Sequence, residues 1–88
     1  MTYSEMFDYL QGRGFTMDFD PTGDKVGFST VRVYWKDISF GEMYFRNAML
    51  YTAKDHQWVS QFEYGWNTNP AYFKEFVEAF IQSCEEPK

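Results

Sequence analysis

An apolar stripe at helical spacing near the C-terminal end is the sequence feature that most constrains the fold. Its members recur at intervals of three and four residues, which predicts an α-helix with one core-facing side. Asn69 is a favourable N-cap, and Pro70 suits the first helical position because its missing N–H would have no partner there. Such a helix needs a second layer to cover its apolar side. The stripe consists of Phe73, Phe76, Val77, Phe80, Ile81 and Cys84.

A second helix is predicted at the N-terminal end. Thr2 and Glu5 have the spacing of a capping box, in which each side chain accepts a hydrogen bond from a backbone N–H of the first turn. Gly12 and Gly14 indicate where the helix ends, since glycine adopts the left-handed conformation of a helix C-cap without strain. The apolar side of this helix would comprise Tyr3, Met6, Phe7 and Leu10.

Between the two helices, alternation of apolar and polar residues predicts β-strands. The alternation is clear along residues 15–20 and residues 57–66. In the first of these strands, Asp18 and Asp20 would face solvent. A longer strand is expected over residues 25–36, with either a bulge near Ser29 and Thr30 or a division into two short strands, because its alternation changes phase. A turn at Lys36 and Asp37 is expected to follow.

The middle of the chain can be interpreted in two ways. Ser39 and Glu42 have capping-box spacing, which favours a helix, but the apolar residues that follow form no clean stripe. We therefore expect residues 39–52 to be a strand, in which Met43 and Tyr51 share one face, followed by a loop over residues 52–56. The whole pattern predicts a single α+β domain over residues 1–88, with a helix, an antiparallel meander of three to four strands and an amphipathic helix in two layers.

Aromatic residues make up 23% of the chain, with ten phenylalanines, seven tyrosines and three tryptophans. Rings of this kind bury large apolar areas, which helps a small domain to form a core. They exceed what one small core can hide, so some are expected on the surface. Exposed rings are common anchors in protein interfaces.

The chain is acidic, with a net charge of -5, and the acidic excess lies at the two ends. This balance argues against nucleic acid as the partner, because affinity for phosphate depends on lysine and arginine. It favours a basic protein surface instead. We see no signal peptide or membrane-spanning segment, and the single cysteine, Cys84, excludes an intramolecular disulfide, so we expect a cytoplasmic protein.

The inventory of reactive side chains argues against an enzyme. His56 is the only histidine, and no nucleophile elbow, phosphate-binding glycine loop or paired-cysteine metal motif occurs. Cys84 continues an apolar stripe, where a buried and unreactive thiol is expected. We therefore expect no catalytic residues and no cofactor.

Residues 18–23 copy the start of a calcium-binding EF-hand loop, with oxygen-bearing side chains at alternate positions and a glycine at the sixth. Ser29 occupies the twelfth position, where the bidentate glutamate of an EF-hand would stand. The flanking residues also alternate as strands do. We expect a turn with solvated aspartates and no metal site.

Binding of single-stranded nucleic acid is the main alternative function. Rings on a sheet can stack bases, and the chain offers several, but such sites add a basic groove. The candidate cations are matched by acidic residues in the same part of the chain. The rings of this platform would be Trp35, Tyr44, Trp58, Tyr64 and Trp66, and the cations Arg32, Lys36, Arg46 and Lys54.

In its size, acidity, α+β pattern and lack of catalytic residues, the chain resembles the small acidic inhibitors of host defence that phages and mobile elements encode, including anti-CRISPR proteins. The resemblance is to a class and implies stoichiometric inhibition of a nucleic-acid-handling protein in the host cytoplasm. A small adaptor with another partner is the remaining alternative. The residues expected to bind the partner are Asp18, Asp20, Asp24, Asp37, Glu42, Tyr44, Glu63 and Trp66, with Asp55 as a further acidic candidate.

Overall fold

The part of the chain that the structure describes forms, in chain order, one helix, the five strands of one sheet and a second helix. The computed structural model describes residues 1–20, 30–54, 57–65 and 68–85. The predicted α+β class, with a helix, an antiparallel meander and a helix, is confirmed. The elements are α1 (Tyr3–Arg13), β1 (Thr16–Asp20), β2 (Thr30–Trp35), β3 (Ile38–Tyr44), β4 (Met49–Lys54), β5 (Gln57–Glu63) and α2 (Pro70–Glu85).

Helix α1 begins and ends at the predicted signals. The Thr2 side chain accepts a hydrogen bond from the Glu5 backbone N–H at 3.2 Å, and the Glu5 carboxylate accepts one from the Thr2 N–H at 3.3 Å. Gly14 forms the C-cap with a φ of 102°, in the left-handed region that favours glycine. Met6 and Leu10 are fully buried, so this part of the apolar stripe of α1 packs into the core.

The sheet is a simple meander in the order β1-β2-β3-β4-β5, and all neighbouring strands are antiparallel. It has five strands, more than the three to four expected. The predicted turn at Lys36 and Asp37 is present, with φ values of 47° and 70°. Positive φ at both positions is typical of the two-residue turns that join antiparallel strands. The next strand, β3, therefore begins at Ile38, directly after the turn.

Residues 39–52 form strands rather than a helix, as expected, but not a single strand. β3 ends at Tyr44, residues 45–48 form a turn, and β4 begins at Met49. The turn shifts the alternation, so Met43 and Tyr51 lie on opposite faces and their predicted common face was wrong. β4 also continues to Lys54, where a loop was expected.

Helix α2 confirms the predicted start. The Asn69 side chain accepts a hydrogen bond from the Ala71 backbone N–H at 2.9 Å, and Pro70 is the first helical residue. Phe73 and Val77 are fully buried. The predicted stripe therefore faces the core, and its other members pack at the edge of the core, less deeply buried. Those partly buried members are Phe76, Phe80 and Cys84.

The core lies between the helices and one face of the sheet, which we call the inner face. Phe40 of β3 packs against the rings of Phe15 and Phe80, with centroids 5.1 and 4.9 Å away. Phe62 of β5 packs against Phe73 at 5.3 Å. Both helices thus cover the inner face, and the opposite, outer face of the sheet is turned away from them.

Candidate functional site

Five of the eight residues predicted to bind a partner lie on the outer face. The strand register places Asp18 opposite Arg32 and Arg32 opposite Glu42. The next row on the same face aligns Asp20 with Thr30, Thr30 with Tyr44 and Met49 with Glu63. Side chains two residues apart in a strand share a face, so both rows project to the same side. The five residues are Asp18, Asp20, Glu42, Tyr44 and Glu63.

A network of charges on the outer face joins β1, β2 and β3. Arg32 of β2 lies between two carboxylates, with its Nη1 3.2 Å from Asp20 Oδ2 and its Nε 3.9 Å from Glu42 Oε1. The pKa of Arg32 is raised, chiefly by the hydrogen bond to Asp20. Among the described outer-face side chains of the strands, this single guanidinium stands against four carboxylates, so the face is acidic.

Tyr44 is fixed by the same network. Its hydroxyl donates a hydrogen bond to the Glu42 carboxylate. Burial raises the pKa of Tyr44 to about 12, with the hydrogen bond to Glu42 as a second cause. The ring is therefore held in one orientation beside the acidic group, with its proton retained at neutral pH.

Three aromatic rings run diagonally across the outer face from β3 to β5. The centroid of Tyr44 lies 5.4 Å from that of Tyr51, which in turn lies 5.4 Å from that of Trp58. The Asn47 side-chain amide donates a hydrogen bond to the Tyr51 hydroxyl at 2.9 Å. Trp58 is 58% exposed. We call Tyr44, Tyr51 and Trp58 the outer ring row.

The other predicted binding residues do not join this face. Asp37 lies in the exposed turn between β2 and β3. Asp24, Asp55 and Trp66 lie outside the described residues, as does His56. The EF-hand-like segment is described only up to Asp20, which belongs to β1 and is paired with Arg32.

The structure changes the composition of the predicted base-stacking platform. Trp35 and Tyr64 are each only 7% exposed and belong to the core, so they were wrongly placed on the platform. The Tyr64 hydroxyl instead donates a hydrogen bond to the Tyr44 carbonyl at 2.7 Å. Tyr44 and Trp58 do lie on one face, connected by Tyr51, which the sequence analysis did not select.

Two of the cations proposed for that platform, Arg32 and Lys36, have acidic neighbours. Arg32 contacts two carboxylates, as described above. Lys36 Nζ lies 3.2 Å from Glu85 Oε1 and 5.2 Å from the centroid of the Trp35 ring. These contacts place positive charge beside negative charge rather than in an open groove.

Tyr51 was missed because residues 45–48 contain no glycine or proline to mark the turn before it. Asn47 was the one available signal, since asparagine is common in turns. A turn at this position reverses which residues of β4 face outward. Recognising it would have placed Tyr51 beside Tyr44.

Within residues 1–20, 30–54, 57–65 and 68–85, no group of three or more histidine, cysteine, aspartate or glutamate side chains is arranged to hold a metal ion. In the same parts of the chain, no helix is long and apolar enough to cross a membrane.

Comparison with known proteins adds no family assignment. No protein-family model matches the chain, and neither the curated proteins nor the solved structures include a significant match.

Proposed function

We propose that the chain is a non-enzymatic binding protein whose outer face binds a basic surface of another protein. The observation that carries the proposal is that four carboxylates and the outer ring row lie on the same face of the sheet. Helices cover the other face, so the outer face is the side of the sheet that a partner can contact. Its acidic character complements lysine and arginine on that partner.

The carboxylates and the rings would contribute to binding in different ways. Exposed carboxylates speed association with a basic surface and lose influence as salt screens them. Aromatic rings act as anchors because they bury a large area at little loss of conformational freedom. Tyr44 is already held by Glu42, which reduces the ordering needed when a partner binds.

We further propose that the partner is a nucleic-acid-handling protein of a host cell. The basic clefts of such proteins bind phosphate, and an acidic face competes for the same positive charges. This proposal is supported by the resemblance to small phage-encoded inhibitors and by the acidity of the outer face. It makes the chain a stoichiometric inhibitor that acts in the host cytoplasm.

The test compares two variants with the same change in net charge. One carries Asp18→Lys and Glu63→Lys on the outer face, and the other carries Asp8→Lys and Glu75→Lys on the exposed sides of α1 and α2. Each immobilised variant is incubated with nuclease-treated host lysate, and the captured proteins are identified. We expect the outer-face variant to lose a basic partner that the wild type and the helix variant both capture. Equal loss in both variants would show that only the overall charge matters.

Binding of single-stranded nucleic acid remains a second candidate function because of the outer ring row. Rings at this spacing offer a surface on which bases can stack. Titration of the purified protein with single-stranded oligonucleotides at physiological salt tests it. Tight binding that is lost in Tyr51→Ala or Trp58→Ala would favour this function over binding to a basic protein.

A further inference from the structure

An open groove of about 570 Å³ lies between α1 and β1. Its α1 wall is formed by Tyr3, Phe7 and Gln11, and its β1 wall by Met17 and Phe19. The volume lies within the range of cavities that bind ligands in proteins. The groove is mainly lined by apolar side chains, so it suits apolar groups of a bound segment.

The groove exists because α1 leaves part of the inner face of β1 uncovered. Met6 and Leu10 point into the core and are fully buried, while Tyr9 and Arg13 contact α2 on the other flank of the helix. Phe19 has the alternation of the inner face, yet it is 58% exposed. A ring expected in the core is therefore accessible at the side of the molecule.

β1 is also an edge strand. Among the described strands it pairs only with β2, so no described strand lies along its other side. An edge strand presents backbone N–H and C=O groups that can pair with an added strand. A strand added here would project every second side chain to the inner face, where the groove lies.

We infer that the edge of β1 binds an extended segment of another protein in which apolar and basic side chains alternate. The apolar side chains enter the groove beside Met17 and Phe19. The basic side chains lie on the outer face beside Asp18 and Asp20, because these residues have the opposite alternation. Opposite charges on neighbouring strands stabilise their pairing. The inference rests on the proposed function for the charge of the partner, and it adds the conformation and side-chain pattern of the bound segment.

A second copy of this chain is a poorer occupant for electrostatic reasons. If the β1 strands of two copies pair antiparallel and keep their outer faces on the same side, outer-face residues of one copy must lie opposite outer-face residues of the other. A register centred on Asp18 sets the two Asp18 carboxylates directly opposite, and like charges in that position destabilise the pair. The net charge of -5 on each chain adds repulsion.

The first test uses an acetylated and amidated peptide of alternating arginine and valine. It is titrated into the isotope-labelled full chain and followed by NMR. Two control peptides have the same composition in block order, or glutamate in place of arginine. We expect the alternating basic peptide to shift the amide signals of Thr16–Asp20 and to protect them from hydrogen exchange. Each control peptide should bind at least about tenfold more weakly than the alternating basic peptide.

The second test asks whether backbone pairing holds the peptide. N–H groups of alternate residues in a strand point to opposite edges, so two N-methylated peptides are compared, one methylated at each alternate set. Methylation of one set should abolish binding, because the N–H groups of that set face β1. Methylation of the other set should leave binding almost unchanged. Equal effects of the two sets would overturn strand addition.

The third test uses two side chains of similar exposure at opposite edges of the sheet. Phe19 and Val59 are 58% and 55% exposed, so either can be replaced with little effect on folding. Phe19→Ser should weaken peptide binding by about tenfold or more, whereas Val59→Ser should leave it unchanged. Three outcomes would overturn the inference: the opposite pattern in the two variants, amide signals that shift in β5 instead of β1, or no binding of the peptide. Self-association of the free protein through β1 would overturn it in favour of a second copy.

The outcomes also separate this inference from the proposed function. If the peptide fails to bind while charge reversal at Asp18 and Glu63 still abolishes partner capture, strand addition is wrong and the proposed function stands. If Phe19-dependent peptide binding is observed while that charge reversal leaves partner capture intact, strand addition stands and the outer face is not the main interface.

Discussion

The two faces of the sheet both carry contacting rings, but the surroundings of those rings differ. On the inner face, Phe40 and Phe62 contact rings of α2 and are 1% and 2% exposed. On the outer face, Tyr44, Tyr51 and Trp58 contact one another at similar distances, on the side of the sheet turned away from both helices. Ring contact alone therefore does not distinguish a core from a binding surface.

The chemical identity of the rings differs between the two faces, although Trp35 and Tyr64 also belong to the core. The most deeply buried rings of the inner face are phenylalanines, which bury no polar group. The outer row consists of two tyrosines and a tryptophan, whose polar atoms suit a position between protein and water. We conclude that the inner rings mainly stabilise the fold, while the outer rings retain apolar area that a partner can bury.

The largest contrast between the faces is expected from removing one ring on each. Phe40→Ala should lower the free energy of unfolding by about 3–5 kcal/mol, because it leaves a cavity in the core. Tyr51→Ala should lower it by less than about 1.5 kcal/mol, since the lost contacts are partly solvated. Urea denaturation followed by circular dichroism measures both.

If Phe40→Ala does not fold, Phe40→Leu provides a milder version of the same comparison. Equal losses for Phe40→Leu and Tyr51→Ala would contradict the division of roles between the two faces.

A smaller contrast is expected between two glycines. Gly41 lies where β3 shifts its register against β2, and a Cβ there would overlap the backbone carbonyl oxygen of Tyr51 on β4. Gly41→Ala should therefore destabilise the sheet by about 1–3 kcal/mol. Gly12 in α1 has no atom within 4 Å of an added Cβ, so Gly12→Ala should stabilise the protein by up to about 1 kcal/mol.

Thermal or urea denaturation of the two variants checks the signs. A neutral Gly41→Ala would mean that β3 and β4 can separate at this point without loss of stability.

The outer face also predicts a dependence on alkaline pH. Burial and the bond to Glu42 raise the pKa of Tyr44 from 10.0 to about 12 in the folded protein. A pKa that is higher in the folded protein stabilises the fold at pH values below the pKa of the unfolded chain. This contribution is lost as pH rises from about 10 towards 12. Tyr44→Phe lacks the ionising hydroxyl, so its unfolding midpoint should fall less steeply over that range. Parallel curves for the wild type and Tyr44→Phe would contradict this role of Tyr44.

Elements with a local signal could be predicted from the sequence. Thr2, Glu5 and Gly14 bound α1, and Asn69 and Pro70 start α2, because capping depends on residues close together in the chain. The end strands followed from their alternation for the same reason. These elements were sufficient to define the fold class.

What could not be predicted depends on contacts between distant residues. The turn at residues 45–48 has no glycine or proline, and it decides that Tyr51 faces outward. The alternation of β1 places Phe19 on the inner face, opposite Val31, yet Phe19 is 58% exposed because α1 leaves this part of β1 uncovered. Four of the acidic residues predicted to bind a partner thus lie on one face of the sheet, whereas Tyr51 of the outer ring row was not predicted.

The smallest effect on stability is expected from an outer-face carboxylate. Asp18 is exposed and lies opposite Arg32, which forms ion pairs with Asp20 and Glu42. Asp18→Asn should therefore change the free energy of unfolding by less than about 0.5 kcal/mol, as is usual for exposed positions. Glu42→Gln is the matched comparison, because Glu42 contacts both Arg32 and Tyr44, and it should cost about 0.2–1 kcal/mol. Urea denaturation at low and high salt measures both. A loss above about 1 kcal/mol for Asp18→Asn would mean that charge pairing across β1 and β2 holds the fold together, and that the outer face is structural rather than a surface kept for a partner.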